Sequence, residues 1–512
     1  MMSPAPADFG FSGRFLLEPE QKAPYASASG ILAAMPAAAA IPNDAQDVAA
    51  LMRWASESGA TLVPRGAATG MPGGNVGPHV IVDMVTNFRA PPAVDRVAAT
   101  ALVQPGSTLA ELNSAAAEFD LYLPVDPSSA ARCTLGGMIA NNAAGAHSLR
   151  YGATRPWVRS VDLVLADGTR SSLTRGAAPD ARLLHLKSTL DAALAPSRTN
   201  IADRWPNVRK NSSGYALREY LDSGDLLDLV IGSEGTLGIV TGATLDLAVP
   251  PRFVGLLVLE FDSLDSATQT VLRLLPFTPD TCELLDRTFI DLVRRGGGST
   301  GYPLHSGIEA LLLVEFAADS PAALAAKIRE VRRAVASLAS RITEAVDPVS
   351  VARLWEVRHA ASPIIAREAG TRVSMQFIED SVVPLERLTD YIRGLRAILD
   401  HHRLPAVIFG HAGDGNIHVN PLVDVTDPEW RGTLHEVLHQ TTQLVVQLGG
   451  TLAGEHGDGR LRAPLLQQVW GDQILTCFHI VKDAFDPQGL LNPGVILPLR
   501  GQRPFDLLRD PS

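Results

Sequence analysis

Short apolar stretches that alternate with a helical pattern and with glycine-rich turns constrain the fold of this chain most. The strand-like run AAAAIP is followed by apolar residues at helical spacing, and we expect Asn43 or Asp44 to cap this helix and Gly59 to end it. Strand-like residues 61–63 then lead into the segment PRGAATGMPGGNVG. This alternation predicts α/β structure.

Length and composition define the class of protein but not its activity. With 512 residues, 46% of them hydrophobic and 19% charged, the chain is long and apolar enough for two or three globular units. The formal net charge of -11 argues against a nucleic-acid-binding protein. Cys133, Cys282 and Cys477 are too few and too widely spaced for a disulfide framework, a thiolate zinc site or an iron–sulfur cluster.

The N-terminal sequence gives no sign of secretion. The segment MMSPAPADFG has no basic part leading into an apolar run, and the first apolar run, residues 31–41, is interrupted by Pro36. No uncharged apolar run reaches the length of about 18 residues that a membrane-spanning helix needs. We therefore expect a cytoplasmic protein in a reducing compartment, and the sequence leaves peripheral association with a membrane open.

Two consecutive prolines, Pro250 and Pro251, mark a boundary between two parts of the chain. Before them, residues 124–155 and 229–242 are rich in Gly, Ser and Asn, which is typical of loops shaped around a ligand. After them, the runs FVGLLVLEF and ALLLVEF predict buried strands that are separated and followed by helices. We therefore expect a second α/β domain from about residue 253 onward.

The segment from Arg65 to Gly70, followed by Gly73 and Gly74, is a candidate pyrophosphate-binding loop. Consecutive backbone N–H groups bind such a ligand where the absence of side chains lets the main chain come close. A glycine-rich turn between two strands is, however, more often only structural. This segment alone does not decide between the two interpretations.

Several motifs that follow one another along the chain together favour the ligand-binding interpretation of this loop. They are PRGAATG at 64–70, DPSS at 126–129, TLGGMIANN at 134–142, YG at 151–152, GSEGTLGIVT at 232–241 and LNPG at 491–494. In this order they resemble the vanillyl-alcohol-oxidase superfamily of FAD proteins, specifically its branch of D-lactate and D-2-hydroxyglutarate dehydrogenases and glycolate oxidase FAD subunits. The resemblance covers nearly the whole chain.

The resemblance implies an α+β flavoprotein of two domains, a PCMH-type FAD-binding domain and an α/β substrate (cap) domain. The implied divisions are an N-terminal lead over residues 1–34, the FAD-binding domain over 35–250, the substrate and metal-binding domain over 251–460, and a C-terminal segment over 461–512. This last segment would complete the flavin site.

The resemblance also implies which residues contact the cofactor. The 65–70 loop would hold the diphosphate, and residues 234–240 would lie along the adenine half. The implied contacts are Arg65, Gly66, Ala67, Ala68, Thr69, Gly70, Pro127, Ser128, Thr134, Gly136, Gly137, Asn141, Tyr151, Gly152, Glu234, Gly235, Gly238, Ile239, Val240 and Asn492. No histidine falls in the 65–74 loop, where some relatives attach FAD covalently, so the resemblance implies dissociable FAD.

The segment GHAGDGNIHVN places two histidines close together. A two-residue hairpin turn at Asp414 and Gly415 predicts that His411 lies directly opposite His418. Cross-strand Cβ atoms are then about 5 Å apart, close enough for both imidazoles to bind one metal ion. Asn420 would point to the same face. From this segment alone, an ordinary hairpin with two half-exposed histidines is an equal alternative.

A second cluster, GEHGDG, favours the metal site, because Glu455 can complete a set of two histidines and one carboxylate with positions open for substrate. The dehydrogenases that this chain resembles carry this pattern. By matching positions, His411, His418 and Glu455 would be the metal ligands, and His456 would be the base. Zn²⁺ suits these ligands, and Mn²⁺ and Fe²⁺ stay open as alternatives.

The implied reaction is the oxidation of a D-2-hydroxy acid, D-lactate or D-2-hydroxyglutarate, to the 2-oxo acid. The metal lowers the pKa of the 2-hydroxyl group, neutral His456 takes its proton, and hydride passes from C2 to the flavin. The electrons then leave for an external acceptor, which would be an electron-transfer flavoprotein, a quinone or a cytochrome. The sequence leaves a homodimer open.

The same resemblance assigns substrate contacts. Arg358 and Ser362 match the family's carboxylate-binding arginine and hydroxyl positions, and a guanidinium is well suited to clamp a carboxylate. Relatives often carry a lysine two residues before the aspartate of the stretch written here as FIEDSVVP, where this chain has Ile378. Either another group such as Arg372 takes over the role of that lysine, or the substrate is smaller.

Three other interpretations each fit part of the sequence. The segment HEVLH, with His435 and His439 four residues apart, matches a zinc-hydrolase pattern and could use Glu455 as a third ligand, although we expect these histidines on a solvated helix face. The chain could instead be the FAD subunit of a glycolate-oxidase-type complex.

The G-x-G-x-x-G match at 296–301 lacks a preceding strand and a following helix, so we expect a surface loop there.

Overall fold

The first sheet contains the strands on either side of the glycine-rich loop. The computed structural model of the chain describes residues 5–295, 302, 305, 307–359 and 372–510. Strands β1 to β4 are Arg14–Leu16, Ala38–Ile41, Leu62–Arg65 and Val80–Asp83, in the order β1-β2-β4-β3. Strand β1 is antiparallel to β2, and the other pairs are parallel. The sequence did not predict β1.

Two helices accompany this sheet, α1 (Pro19–Lys22) and α2 (Ala45–Ser58). The side chain of Asp44 accepts hydrogen bonds from the backbone N–H groups of Gln46 and Asp47, and Gly59 ends α2 in the left-handed conformation. The expected start and end of this helix are therefore confirmed. Its apolar face packs against the sheet in a buried cluster.

The second sheet is antiparallel throughout, with the strand order β5-β6-β9-β7-β8. Strands β5 to β9 are Ala93–Asp95, Thr100–Val103, Val158–Val164, Arg170–Thr174 and Ile239–Asp246. Helices α3 to α9 are Leu109–Ala117, Leu135–Asn141, Ser148–Tyr151, Ala181–Leu194, Arg198–Arg204, Leu217–Ser223 and Leu226–Val230. The loops between these elements carry most of the motifs that are rich in Gly, Ser and Asn.

The third sheet has eight strands, in the order β13-β10-β12-β11-β16-β17-β14, and β15 also pairs with β17. Strands β10 to β17 are Phe253–Phe261, Thr281–Asp286, Ala310–Ala318, Arg341–Ala345, Arg372–Ser374, Ser381–Val382, Ala406–His411 and Asn416–Asp424. Helices α10 to α15 are Leu264–Leu274, Arg287–Arg295, Pro321–Val335, Pro348–His359, Leu388–His401 and Trp430–Gln447.

The two predicted buried strands after the proline pair, β10 and β12, are confirmed. Along β10, Leu257 and Leu259 pack into one apolar cluster, and Leu256 and Val258 pack into another on the opposite face. Because both faces of the sheet are covered here, β10 and β12 are apolar at nearly every position.

The C-terminal segment returns to the first half of the chain. Helices α16 (Gly459–Arg462) and α17 (Leu466–Phe485, interrupted at Gly471) are followed by a stretch that lies beside β3, where Leu62 N donates to Leu490 O at 2.8 Å. Short 3₁₀ turns occur at Pro6–Phe9, Ala23–Tyr25, Arg155–Trp157, Ala195–Ser197, Leu275–Phe277, Leu385–Arg387, Ala412–Asp414 and Ala463–Leu465. Among the described residues, no helix has the length and apolar character needed to cross a membrane.

Candidate active site

A single large cavity connects the glycine-rich half of the chain to the third sheet. Its volume is about 1230 Å³, and its walls come from the 65–75 loop, residues 126–147 and residues 230–240 on one side, and from α13, β14, β16, β17 and residues 455–456 on the other. Pockets for drug-sized ligands span roughly 300–1,000 Å³. The cavity is therefore large enough for a dinucleotide-sized ligand together with a small acid.

All but three of the predicted cofactor contacts line this cavity. The exceptions are Tyr151, Gly152 and Asn492. Tyr151 packs edge-on against Trp157, and Gly152 ends α5 with a positive φ of 72°. Asn492 lies behind the wall, where its side-chain amide donates to the carbonyls of residues 74 and 234 at 2.9 and 2.7 Å. Asn492 thus connects two segments that line the cavity and does not line the cavity itself.

Two buried polar atoms in the wall fit a cofactor rich in hydrogen-bonding groups. Thr134 Oγ1 and Asn75 Oδ1 have no hydrogen-bond partner within the described part of the chain. A Cβ atom at Gly70 would come within 3.1 Å of Asn75 Nδ2, so glycine leaves room for this amide beside the loop. Unpaired buried polar groups are rare unless a ligand or water satisfies them, and these residues fit FAD.

Arg65 has a structural role in addition to its place in the wall. Its guanidinium donates to the backbone carbonyls of Tyr25, Asn75 and Ser27, at 2.9, 3.2 and 2.7 Å respectively. These bonds tie the start of the glycine-rich loop to the segment before β2. The positive charge of Arg65 is thus committed to protein carbonyls.

The hairpin between β16 and β17 differs from the predicted one. The connection is a 3₁₀ turn over Ala412–Asp414 closed by Gly415, so His411 pairs with Asn416, and His418 pairs with Phe409. The prediction that His411 lies directly opposite His418 is therefore wrong by two residues.

The cause is a tertiary contact, because Asp414 is buried and accepts a hydrogen bond from Ser148 Oγ at 2.6 Å instead of forming an exposed turn. Since side chains alternate with a period of two, the shift leaves His411 and His418 on the same face. Their ring centroids are 5.1 Å apart.

His411, His418 and Glu455 converge on one point. The Nε2 atoms of both histidines lie 3.3 Å from Glu455 Oε1. Ligand atoms about 2.0–2.1 Å from a tetrahedral zinc ion lie about 3.3 Å apart, so this spacing fits such an ion. The ligand atoms of this trio all lie within 4.8 Å of one another.

Two charged residues that sequence reasoning missed support this trio. Glu283 Oε1 lies 2.6 Å from His411 Nδ1, which leaves Nε2 facing Glu455, as is usual for a metal-binding histidine held by a carboxylate. Lys210 Nζ donates to Glu455 Oε2 at 2.6 Å. Neither residue belongs to a recognisable motif, so no signal in the sequence marked them.

The electrostatics of the trio follow from these contacts. Burial alone would raise the pKa of Glu455, but the charges of Lys210 and His411 hold it well below its ordinary value. Burial alone would lower the pKa of His411, but the adjacent Glu283 raises it to about 9. The pocket therefore holds an ionised carboxylate, Glu455, beside the imidazole of His411, which favours positive charge.

His456 lies next to this trio and lines the cavity. Its Nδ1 is 2.7 Å from Glu379 Oε2, and its ring stacks on that of His418 with centroids 5.4 Å apart. Burial alone would lower the pKa of His456, but the carboxylates of Glu379 and Asp380 raise it to about 10. These carboxylates therefore favour the imidazolium, whereas a cation held by the neighbouring trio would favour the neutral imidazole that a general base needs.

Arg358 reaches the cavity from α13 and is held in place from two sides. Its Nε donates to Glu283 Oε2 at 2.9 Å, and its guanidinium lies over the ring of Phe409 at 4.8 Å. Arg372 and Asn420 also line the cavity. The predicted hydroxyl residue, Ser362, lies outside the described residues.

Ile378, at the position where relatives often have lysine, faces away from the cavity. Ile378 is 3% exposed and belongs to the apolar core behind the third sheet. Gln376 and Ser374, on the preceding residues of this segment, line the cavity together with Arg372.

The structure separates the HEVLH helix from this site. His435 and His439 lie on the exposed face of α15, where His435 packs against Phe505 with ring centroids 4.8 Å apart. Of the described residues, the groups able to hold a metal ion include neither histidine. The G-x-G-x-x-G match at 296–301 lies outside the described residues.

Comparison with known proteins identifies the class. Residues 36–174 match the family described as "FAD binding domain", and residues 250–496 match "FAD linked oxidases, C-terminal domain". The structure resembles 4-ethylphenol oxidase from Gulosibacter chungangensis (TM-score 0.68, 17% identity, 95% of both chains) and alkyldihydroxyacetonephosphate synthase (TM-score 0.64, 15% identity, 94% of this chain and 83% of the other). The predicted two-domain flavoprotein fold is confirmed.

Relatives of known name agree with this class. The chain is 28% identical to D-2-hydroxyglutarate dehydrogenase of Escherichia coli over 96% of its length and 51% of the relative's. It is 28% identical to glycolate oxidase subunit GlcD of Bacillus subtilis (90% and 88% covered) and 29% identical to D-lactate dehydrogenase of Archaeoglobus fulgidus (89% and 90% covered). The chain spans about half the length of the D-2-hydroxyglutarate dehydrogenases that it matches. The chain thus carries an FAD-binding domain followed by a C-terminal domain of the FAD-linked oxidase type.

Proposed function

We propose that this chain is an FAD-dependent dehydrogenase that oxidises a D-2-hydroxy acid, D-lactate or D-2-hydroxyglutarate, to the 2-oxo acid. The observation that carries the proposal is the continuity of one cavity, which joins the glycine-rich loop to His456, Arg358 and the trio of His411, His418 and Glu455. A hydroxy acid in this cavity would meet a base, a carboxylate clamp and the cofactor together. The names of the relatives support the substrate class and its D configuration.

Arg358 would bind the substrate carboxylate. Because its Nε is already bonded to Glu283, its two terminal nitrogens are the groups left to grip a carboxylate. Packing against Phe409 holds the guanidinium plane in a fixed orientation. Ser362 would add a hydrogen bond, as the family resemblance implies, and Asn420 would add another from the cavity wall.

His456 would take the proton of the 2-hydroxyl group while hydride leaves C2. His411, His418 and Glu455 would hold a divalent cation, most suitably Zn²⁺, which supplies polarisation of that hydroxyl group. FAD supplies the hydride acceptor. We propose dissociable FAD, since no histidine lies in the 65–74 loop.

The length of the substrate depends on Arg372. If its guanidinium binds a second carboxylate, the substrate is a dicarboxylate such as D-2-hydroxyglutarate, whereas D-lactate needs no such contact. The position of Arg372 in the cavity wall supports a dicarboxylate substrate. Ile378 is buried in the apolar core and therefore would not contact the substrate.

A second candidate function is the FAD subunit of a glycolate-oxidase-type complex. It is supported by the match to glycolate oxidase subunit GlcD, which covers 90% of this chain and 88% of the relative. The purified chain would then need partner subunits for turnover with an acceptor. As a single enzyme it would instead pass electrons directly to an electron-transfer flavoprotein, a quinone or a cytochrome. We propose a cytoplasmic location, with peripheral membrane association and a homodimer left open.

An anaerobic absorbance experiment tests the proposal. The purified, FAD-reconstituted chain is mixed separately with D-2-hydroxyglutarate, D-lactate and glycolate, and with the L-enantiomers as controls. We expect one D-acid to bleach the oxidised flavin band and its L-enantiomer to leave it unchanged. Failure of all the acids to reduce bound flavin would refute the proposal.

A further inference from the structure

We propose that Glu379 is a positioning residue for His456, which holds the imidazole so that Nδ1 keeps its proton and Nε2 faces the reacting hydroxyl group. This inference rests on the proposed function. Glu379 Oε2 lies 2.7 Å from His456 Nδ1. A histidine that acts as a base through one nitrogen needs its proton fixed on the other, and a carboxylate partner fixes it there.

The two carboxylate oxygens of Glu379 have separate partners. Oε2 contacts His456, while Oε1 accepts a hydrogen bond from Arg462 Nη2. Glu379 and Arg462 are both nearly completely buried. A buried ion pair of this kind contributes little net stability compared with apolar residues of similar volume. Its presence beside the base is therefore better explained by the orientation of the ring than by stability.

The neighbouring Asp380 fixes the backbone that carries the base. Asp380 adopts a left-handed conformation with φ 75°, and its carboxylate accepts hydrogen bonds from the backbone N–H groups of Glu455, at 3.1 Å, and His456, at 2.8 Å. Two consecutive carboxylates thus have different roles, since Asp380 binds the backbone of residues 455 and 456 and Glu379 binds the imidazole ring of His456. Together they fix the position of the His456 backbone and the orientation of its ring.

Glu379 also lies close to the proposed metal ligands, and a role as a further ligand is the alternative to positioning. Its Oε2 is 3.6 Å from His418 Nδ1, and its ligand atom groups with those of Asp380, His418 and His456 within 4.8 Å. However, the charge of Glu379 is already balanced by Arg462. The histidine nitrogens that face Glu455 are Nε2 atoms, on the other side of the rings. The contacts therefore favour positioning over metal binding.

The test compares Glu379→Gln and Glu379→Asp in the full-length, FAD-loaded chain, with the exposed Glu386→Gln as the matched control. We expect Glu379→Gln to slow anaerobic flavin reduction about 10–100-fold, a typical effect of removing such a supporting partner. FAD content, metal content and substrate affinity should stay within about twofold of wild type. Glu379→Asp should recover part of the rate, and the solvent isotope effect on reduction should grow in Glu379→Gln.

A second readout does not depend on activity. In the chain labelled with ¹⁵N-histidine and assigned with His456→Gln, we expect a downfield Nδ1–H resonance of His456 that Glu379→Asp keeps and Glu379→Gln loses. A wild-type reduction rate and an unchanged resonance in Glu379→Gln would overturn the inference, as would loss of bound metal in proportion to the rate. If wild-type flavin is not reduced by any hydroxy acid, the proposed function fails, and the resonance still decides whether Glu379 orients the ring.

Discussion

Lys210 and Glu455 form a buried ion pair, with 2.6 Å between Lys210 Nζ and Glu455 Oε2 and with side chains only 3% and 7% exposed. Lys210 Nζ also donates to Asn416 Oδ1 at 3.1 Å. The pair fixes one oxygen of Glu455 and leaves the other, Oε1, facing His411 and His418. Lys210 thus orients the proposed metal ligand Glu455 by binding the oxygen that does not face the histidines.

Lys210→Met should destabilise the metal-free chain strongly, because removing one member of a buried ion pair costs about 3–5 kcal/mol. Added Zn²⁺ should raise the melting temperature of this variant more than that of wild type, since a cation replaces the missing charge. Thermal unfolding with chelator and with Zn²⁺ measures both effects. Lys187→Met, which removes a surface partner of Asp191, is the control and should change little. Equal zinc-induced shifts in the variant and wild type would contradict the prediction.

His411→Ala combined with His418→Ala should abolish bound divalent metal while FAD stays bound. Both side chains point Nε2 at Glu455 Oε1, whereas the cofactor loop lies on the other wall of the cavity. Metal analysis of the purified variants gives the answer. The matched control is His435→Ala combined with His439→Ala on the exposed face of α15, which should keep its metal. The reverse pattern would favour the hydrolase interpretation.

His456→Gln should keep FAD and metal but reduce the rate of flavin reduction by about 10²–10⁴-fold, the usual contribution of a positioned general base. The substitution removes the base and leaves the identity of the three proposed ligands unchanged. Stopped-flow reduction by the substrate, together with cofactor and metal analysis, checks this expectation. Reduction at a near-normal rate would show that another group takes the proton.

The sequence predicted those parts of the fold and site that local patterns encode. Asp44 and Gly59 bound α2 because capping is a contact between near neighbours in the chain. The strands β10 and β12 were predicted because both faces of the third sheet are covered and their residues are continuously apolar. The histidine and glutamate motifs were visible for the same reason, since their members lie within a few residues of one another.

The contacts that support the site were not predictable, because they join residues far apart in the chain. Glu283 is 128 residues from His411, and Lys210 is 245 residues from Glu455. Single charged residues carry no pattern, so only the folded chain shows what they contact. The hairpin register was wrong for a similar reason, since the partner that draws Asp414 out of a two-residue turn lies 266 residues away.

Glu283→Gln should weaken both substrate binding and metal binding. Its two oxygens contact Arg358 Nε and His411 Nδ1, so one substitution loosens the carboxylate clamp and a metal ligand together. We expect metal affinity to fall about 10–100-fold, with a rise in KM. Arg358→Lys should raise KM alone and leave metal affinity unchanged. If Glu283→Gln changes only one of the two properties, the carboxylate does not couple them.

His147 links the two halves of the cavity and should make stability depend on pH. Its Nδ1 lies 2.6 Å from Asp126 Oδ2, and its Nε2 lies 2.8 Å from Glu315 Oε1 on β12. Burial alone would lower the pKa of His147, but the two carboxylates raise it from 6.5 to about 11. Because the folded pKa lies above the unfolded one, the stabilisation is complete below pH 6.5 and is lost as pH rises towards 11.

His147→Gln should therefore lower the melting temperature most at pH 6 and less at pH 9. Each hydrogen bond between charged partners contributes about 1.5–3 kcal/mol, which sets the scale of the loss at the lower pH. Thermal unfolding of wild type and variant at pH 6, 7.5 and 9 measures the difference. His439→Gln on the exposed face of α15 is the control and should show no such trend. A loss that grows with pH would mean that His147 is neutral in the folded chain, and that the carboxylates on either side of it do not hold its proton.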